Sequence, residues 1–325
     1  MPIHINNKTR QLLAPLYFRT LPHCNYFINL LRHNRFTRQY IPREFHIEVT
    51  SHCNANCIMC PQKKMNRKRG YMSWQVFTKI IDECAVFEGT GLWMNLHKDG
   101  EPLLDPMLFA RINYIRKKLK KSHIHFSSNA SLLTNSIIDK LLESPPDSIV
   151  FSVDGTTSET YEQIRRGLLY QKTKENLENF FKRKKKALHS KTISIMQMVV
   201  NDQNKNQKSD YFKMWHGKAD KIMFKDMHNF LDQKTSVHGC SLSYKMLSRC
   251  WQPFSTMIVF WNGDVGLCCW DYENFLKLGN IERSSLLEIF NNDMFLKVRT
   301  AMIRKDCKNI PVCSKCSRIY GKDNP

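Results

Sequence analysis

The sequence predicts an α/β protein: a partial (β/α)6, TIM-like barrel followed by a small α+β cap. Three observations predict it. Strand and helix patterns alternate six times between residues 44 and 227. The alternation then gives way to a hairpin and short helices. The cysteines, twelve in all, are grouped, with a C-x3-C-x2-C array directly after the first strand and a C-x2-C pair near the end.

"EFHIEVT" (44–50) is the first strand, and "SWQVFTKIIDECAVF" (73–87) has apolar residues at helical spacing with Ser73 placed as its cap. "GLWMNLH" (91–97) is the second strand and "LFARINYIRKKLKK" (108–121) the second helix. "HIHFSS" (123–128) is the third strand, followed by "NSIIDKLLES" (135–144), which Pro145-Pro146 stops. "SIVFSVDG" (148–155) is the fourth strand, and residues 158–188 are mostly helical with a break near Gly167. "TISIMQMVV" (192–200), a short helix over 209–217 and "KIMFKD" (221–226) complete the set. Near-continuous apolar strands imply a parallel sheet covered by helices. Six units suit an open barrel better than a closed eight-stranded one. In such sheets chemistry gathers at the C-terminal ends of the strands. Beyond a linker-like stretch, a hairpin is expected over 257–260 and 265–267, turning at Asn262-Gly263, with short helices over 285–290 and 293–304. The expected units are a basic N-terminal extension (1–43), the barrel (44–227) and the cap (228–325).

With 42% hydrophobic residues in 325, the chain can bury a sizeable core. No run approaches the ~18 apolar residues of a membrane span. Pro15, Arg19, Pro22 and His23 interrupt the N-terminus before a signal-peptide core can form. A cytoplasmic location is therefore expected, where thiols stay reduced, and the cysteines point to metal or redox chemistry. The formal charge is +21, much of it in "KKMNRKR" (63–69), "RKKLKK" (116–121) and "KRKKK" (182–186). Such runs are ordinarily solvated helix faces; the other reading is attraction to nucleic acid, a membrane surface or an anionic substrate. Apolar positions such as Leu12, Leu13, Tyr26 and Phe27 suit packing on the barrel or on a membrane surface.

Cys53, Cys57 and Cys60 form the first array, in "SHCNANCIMCPQ". Structural zinc wants four ligands, and no fourth cysteine or ligand-spaced histidine completes this site locally. An iron–sulfur cluster on three thiolates leaves one iron open to a substrate or cofactor. The array, placed after the first strand of a partial barrel, resembles the radical S-adenosylmethionine (SAM) superfamily. The resemblance implies a [4Fe–4S] cluster whose open iron binds SAM and whose electron cleaves it to a 5′-deoxyadenosyl radical. It also implies a flavodoxin- or ferredoxin-type electron donor. Further motifs match in order: "GEP" (Gly100, Glu101, Pro102), where the family's backbone meets the SAM amino group, then "SSNA" with Ser128 and Asn129. "SVDG" with Asp154 follows, and then Arg165 or Arg166, either able to pair with a carboxylate or phosphate. Asp99 stands where the family often has another glycine.

The C-terminal cysteines are similar in order to the SPASM domain or its shortened twitch form. That resemblance implies one auxiliary [4Fe–4S] cluster on Cys250, Cys268, Cys313 and Cys316. A zinc-ribbon-like cap is the alternative. Cys269 is then either an incidental thiol, the true ligand, or a hydrogen-atom donor to a substrate radical. Asp271 is a candidate base. Cys240 and Cys307 read as ordinary buried thiols. The implied function is a radical SAM oxidoreductase acting on a small polar substrate, carbohydrate-like or phosphorylated, by dehydrogenation or epimerisation. Peptide or tRNA modification and a non-catalytic zinc and nucleic-acid-binding protein are the alternatives.

Overall fold

Each expected strand forms, in its expected order. The computed structural model describes residues 39–87, 89, 91–187, 191–227 and 249–320. The N-terminal extension up to residue 38 and the stretch 228–248, with Cys240, lie outside the described residues. Six parallel strands, β1 (Glu44–Ile47), β2 (Trp93–Asn95), β3 (His123–Ser128), β4 (Ser148–Ser152), β5 (Ile193–Val200) and β6 (Lys221–Asp226), pair in sequence order. Helices α1 (Trp74–Cys84), α2 (Leu108–Lys118), α3 (Asn135–Glu143), α4 (Ser158–Ile164), α5 (Tyr170–Lys186) and α6 (Lys208–Trp215) connect them. Ser73 caps α1 by accepting from Val76 N, as its position before the apolar run implies. The fold is an open α/β half-barrel.

The strands are less uniformly apolar than expected. β1 and β3 alternate: Phe45, Ile47, Ile124 and Phe126 are buried with the helices, while Glu44, His46, His123 and His125 point to the other face. Register sets His46 beside Asn95, Asn95 beside His125 and His125 beside Ser148. The inner face of the half-barrel is therefore a polar wall.

The sequence reading placed the C-terminal hairpin in a separate cap. It instead extends the barrel sheet: β7 (Thr256–Val259) pairs in parallel with β1, from Glu44↔Thr256 to Ile47↔Val259. β8 (Asp264–Gly266) and β9 (Lys277–Asn280) continue antiparallel from it. β9 escaped the sequence reading because it is short and contains Gly279. That glycine is required by packing, since a Cβ there would lie 2.9 Å from the Ile289 side chain. Helices α7 (Gln252–Ser255), α8 (Leu286–Phe290), α9 (Asp293–Arg304) and α10 (Ser317–Tyr320) complete the C-terminal part, with a capping box between Ser285 and Glu288 starting α8.

A buried ion network ties this part to the barrel. Arg67 makes a two-pronged pair with Glu48, and its Nη2 donates to Asp99 Oδ2 at 2.9 Å. Its Nε donates to Tyr272 O at 2.6 Å, and the backbone N–H groups of Asn66 and Arg67 donate to the Glu273 carboxylate. Lys98 Nζ reaches Asp99 Oδ2 at 2.6 Å and Asp271 O at 3.1 Å. Burial and the neighbouring Asp99 carboxylate push Glu48 up, against the pull of Arg67. Asp99, the departure from the family's glycine, is thus a member of this network.

The basic runs divide accordingly. Arg67 is structural, while Lys63, Lys64 and Lys68 are exposed. In the other two runs Arg116 pairs with Asp147, Lys118 with Asp82, Arg183 with Asp139 and Lys184 with Asp220. These are helix-face pairs of small individual worth.

Arg67→Ala should cost roughly 3–5 kcal/mol in urea unfolding, because it leaves the buried Glu48 carboxylate without its paired cation and Asp99 with Lys98 alone. A Glu48→Gln/Asp99→Asn/Arg67→Met triple variant should recover much of that loss. Equal destabilisation in the two proteins would contradict this account.

Candidate active site

The first cysteine array occupies the loop that leaves β1. Thr50 bridges to Tyr71, Ser51 N donates to Gly70 O at 3.0 Å, and Gln62 Nε2 donates to Ser51 O at 3.0 Å, so the loop is closed at its base. Its far side is held by the end of α4: Asn56 N donates to Arg166 O at 2.7 Å and Ile58 N to Ile164 O at 3.0 Å. Cys53, Cys57 and Cys60 are all partly exposed. Burial pushes the Cys53 thiol up to about 11 and Cys60 up to about 12. These sulfurs ionise at neutral pH only when a bound cation offsets the desolvation.

The expected cofactor residues surround this loop. Gly100 allows the closest approach: a Cβ there would lie 2.2 Å from Thr50 O, and Glu101 N donates to His52 O at 2.8 Å. The Glu101 carboxylate is spent locally, accepting from Leu103 N at 3.1 Å and Asn129 N at 2.7 Å. Pro102 is buried and starts the following turn. Ser128 Oγ accepts from Ala130 N, and Asn129 Nδ2 donates to Asn54 Oδ1 at 2.9 Å, inside the cysteine loop. Ala130, at φ 63, holds a left-handed conformation that ordinarily favours glycine.

Arg165 and Arg166 separate clearly. Arg165 donates from Nε to Asp154 Oδ2 at 2.7 Å, whereas Arg166 is exposed. The Asp154 carboxylate also accepts from Val199 N at 2.7 Å, so it orients Arg165 rather than offering free oxygens. Burial raises Asp154 while Arg165 opposes that rise; Asp154 in turn holds the guanidinium protonated, with Cys57 close by.

At the second site Cys250, Cys268, Cys313 and Cys316 line one small cavity, together with Gln252, Pro253, Leu267, Met302, Val312 and Ile319. Four sulfurs in an otherwise largely apolar wall fit the donor set of a closed iron–sulfur cluster. Among the described residues no three His, Cys, Asp or Glu side chains converge on a single-ion geometry. Cys307, read from sequence as an ordinary thiol, is buried beside Cys313.

Cys269 does not line that cavity; its Sγ accepts from Gln252 Nε2 at 3.1 Å. A hydrogen bond from Cys268, with further help from His46 and Lys98, brings Cys269 down to about 6 despite burial. The Asp271 carboxylate is committed to the backbone N–H groups of Phe275 at 2.9 Å and Leu276 at 3.2 Å. It shapes the loop that carries Cys269.

The inner wall holds a cluster of polar residues that the sequence reading did not single out. His46 Nε2 lies 2.8 Å from Glu44 Oε1, and the Asn95 amide bridges His46 Nδ1 at 3.1 Å and His97 Nδ1 at 2.5 Å. Burial alone would lower His46; the Glu44 carboxylate raises it above the usual imidazole value. His97, which accepts from Ser127 N, is held neutral by burial. Polar residues at every second position of β1 and β3 were the available signal.

Comparison with known proteins agrees with this arrangement. The radical SAM superfamily model matches residues 47–208, and that of an iron–sulfur cluster-binding domain, SPASM, matches 250–317. The chain belongs to the radical SAM superfamily and carries a SPASM-type domain. Such domains bind a SAM-coordinating [4Fe–4S] cluster, SAM and auxiliary iron–sulfur chemistry. A curated relative is the "tungsten-containing aldehyde ferredoxin oxidoreductase cofactor-modifying protein" of Pyrococcus furiosus, 26% identical over 163 residues, covering 50% of this chain and 45% of that protein. The chain thus spans about half the length of that relative. Among solved structures, BtrN in complex with AdoMet and 2-DOIA superposes with a TM-score of 0.59 at 15% identity, covering 88% of this chain and 94% of that one. Native anSMEcpe with bound AdoMet gives 0.63 at 18% identity, covering 87% of this chain and 92% of that one. At these identities the likeness is one of fold.

Reconstituted protein should carry about eight irons per chain, and Cys250→Ala/Cys268→Ala about four. Colourless, zinc-loaded protein would contradict the assignment.

Proposed function

We propose that the chain is a radical SAM oxidoreductase that removes a hydrogen atom from a small polar substrate held against the inner wall of the half-barrel. The observation that carries this reading is the contrast between the two cysteine sites. A three-thiol loop stands at the strand ends, a four-thiol cavity stands in the C-terminal part, and Cys269 lies outside that cavity. With a cluster on Cys53, Cys57 and Cys60 and SAM on its open iron, the site supplies a 5′-deoxyadenosyl radical.

The protein's own residues bind and orient. Gly100 brings the GEP backbone against the cysteine loop, where it would hold the SAM amino group. Asn129 and Ser128 line the same rim, and Arg165, fixed by Asp154, offers its guanidinium to an anionic group. Cys250, Cys268, Cys313 and Cys316 would hold the auxiliary cluster, whose chemistry would be electron exchange. Cys269 is the hydrogen-atom donor if the outcome is epimerisation. The polar wall of His46, Asn95, His97, His125 and Ser148 suits the hydroxyl groups of a carbohydrate-like or phosphorylated substrate. The first electron comes from a flavodoxin- or ferredoxin-type donor.

Anaerobic protein with SAM and dithionite should form 5′-deoxyadenosine, and Cys53→Ala should reduce this to background. If the outcome is epimerisation, turnover in D2O places deuterium at one substrate carbon with wild type and none with Cys269→Ala. Unlabelled wild-type product would reject the donor role of Cys269 and leave dehydrogenation.

A further inference from the structure

Among the described residues, Arg299 on α9 is a buried cation with no carboxylate paired to it. Its side chain is almost fully buried, and Nε donates to Pro253 O at 2.7 Å. Nη1 and Nη2 have no hydrogen-bond partner among the described residues. The guanidinium lies over three rings instead, 4.1 Å from the Tyr40 centroid, 4.4 Å from Phe290 and 4.9 Å from Phe295. Burial works against the charge, but a guanidinium stays protonated at neutral pH. The ring faces offset part of that cost.

The position connects this charge to the four-cysteine cavity. Pro253, whose carbonyl Arg299 holds, lines the cavity, as does Gln252 beside it. Met302, one turn along α9 from Arg299, lines it too, and its Sδ accepts from Cys250 N at 3.1 Å. Arg299 therefore stands one residue layer behind the cavity wall, in a region from which water is excluded. A net positive charge there acts through a low dielectric and is poorly screened by salt. A cluster gains negative charge on reduction, so such a cation favours the reduced form. Charge and burial are the means by which a protein tunes an iron–sulfur potential.

We infer that Arg299 sets the reduction potential of the auxiliary cluster, holding it more positive so that it accepts an electron from the substrate radical. This rests on the auxiliary-cluster assignment above. Arg299 is a positioning residue in the electrostatic sense, since it touches neither cluster nor substrate.

The test is an EPR-monitored redox titration of full-length protein in which Cys53, Cys57 and Cys60 are replaced by Ala, leaving only the auxiliary site. Arg299→Met should move the midpoint to more negative potential by at least a tenfold change in the reduced-to-oxidised ratio, about 59 mV for one electron. Arg299→Lys, which keeps the charge, should stay close to the parent. Arg318→Gln, removing an exposed cation near Cys250 and Cys316, should shift it less than Arg299→Met. An unchanged midpoint in Arg299→Met that retains its iron and signal overturns the inference alone. Equal shifts in the Met and Lys variants also overturn it, because they indicate packing and not charge. Absence of any cluster signal in the parent overturns the auxiliary-site assignment itself, and this inference with it.

Discussion

The arrangement depends on the guanidinium of Arg67. It comes from the loop that carries the first cysteine array, and it binds Glu48 at the end of β1, Asp99 before the GEP turn and the carbonyl of Tyr272 in the C-terminal part. Arg67 and Lys98 both lie against the ring of Phe260 in the β7–β8 turn, at 4.8 Å and 4.6 Å from its centroid. One cation therefore sets the relative positions of the cysteine loop, the cofactor turn and the segment bearing Cys268 and Cys269. Removing buried charge without removing its partners is among the costlier changes a protein can suffer. That cost makes the network a strong constraint on geometry, whatever its net contribution to stability.

The two cysteine sites differ for physical reasons that extend beyond ligand number. The first is a partly exposed loop hung between β1 and α4, with a buried Arg165–Asp154 pair at its side. An incomplete coordination shell requires such access. The second is a cavity inside the C-terminal part, walled by apolar side chains and backed by a caged cation. A closed shell of four thiolates can be buried, and burial is what allows a remote charge such as Arg299 to act on it. Between the two runs the polar inner wall, with His46 paired to Glu44 and His97 held neutral.

Much of the fold was legible. The bounds of β3 and β6 agree with the apolar patterns, and Ser73 caps its helix because serine before an apolar periodic run has little else to do there. β9 was not legible, since a short strand containing Gly279 has no periodic signature until Ile289 is seen against it. The parallel pairing of β7 with β1 joins residues some two hundred positions apart and leaves no local mark. The polar wall was obscured by the assumption that parallel strands are apolar on both faces, which fails where one face lines a site.

The sequence by itself placed Cys53, Cys57 and Cys60 in one loop after a strand, and the resemblance to the SPASM domain grouped Cys250, Cys268, Cys313 and Cys316. Local spacing suffices for the first set because its three thiols lie within one short loop. Only the tertiary structure decided what the charged residues do. It turned Asp154 and Glu101 inward as supports, spent the Asp271 carboxylate on backbone N–H groups and separated Cys269 from the cavity that Cys268 lines. A carboxylate or thiol has the same identity in either role, and its role follows from the donors and charges that distant segments bring to it.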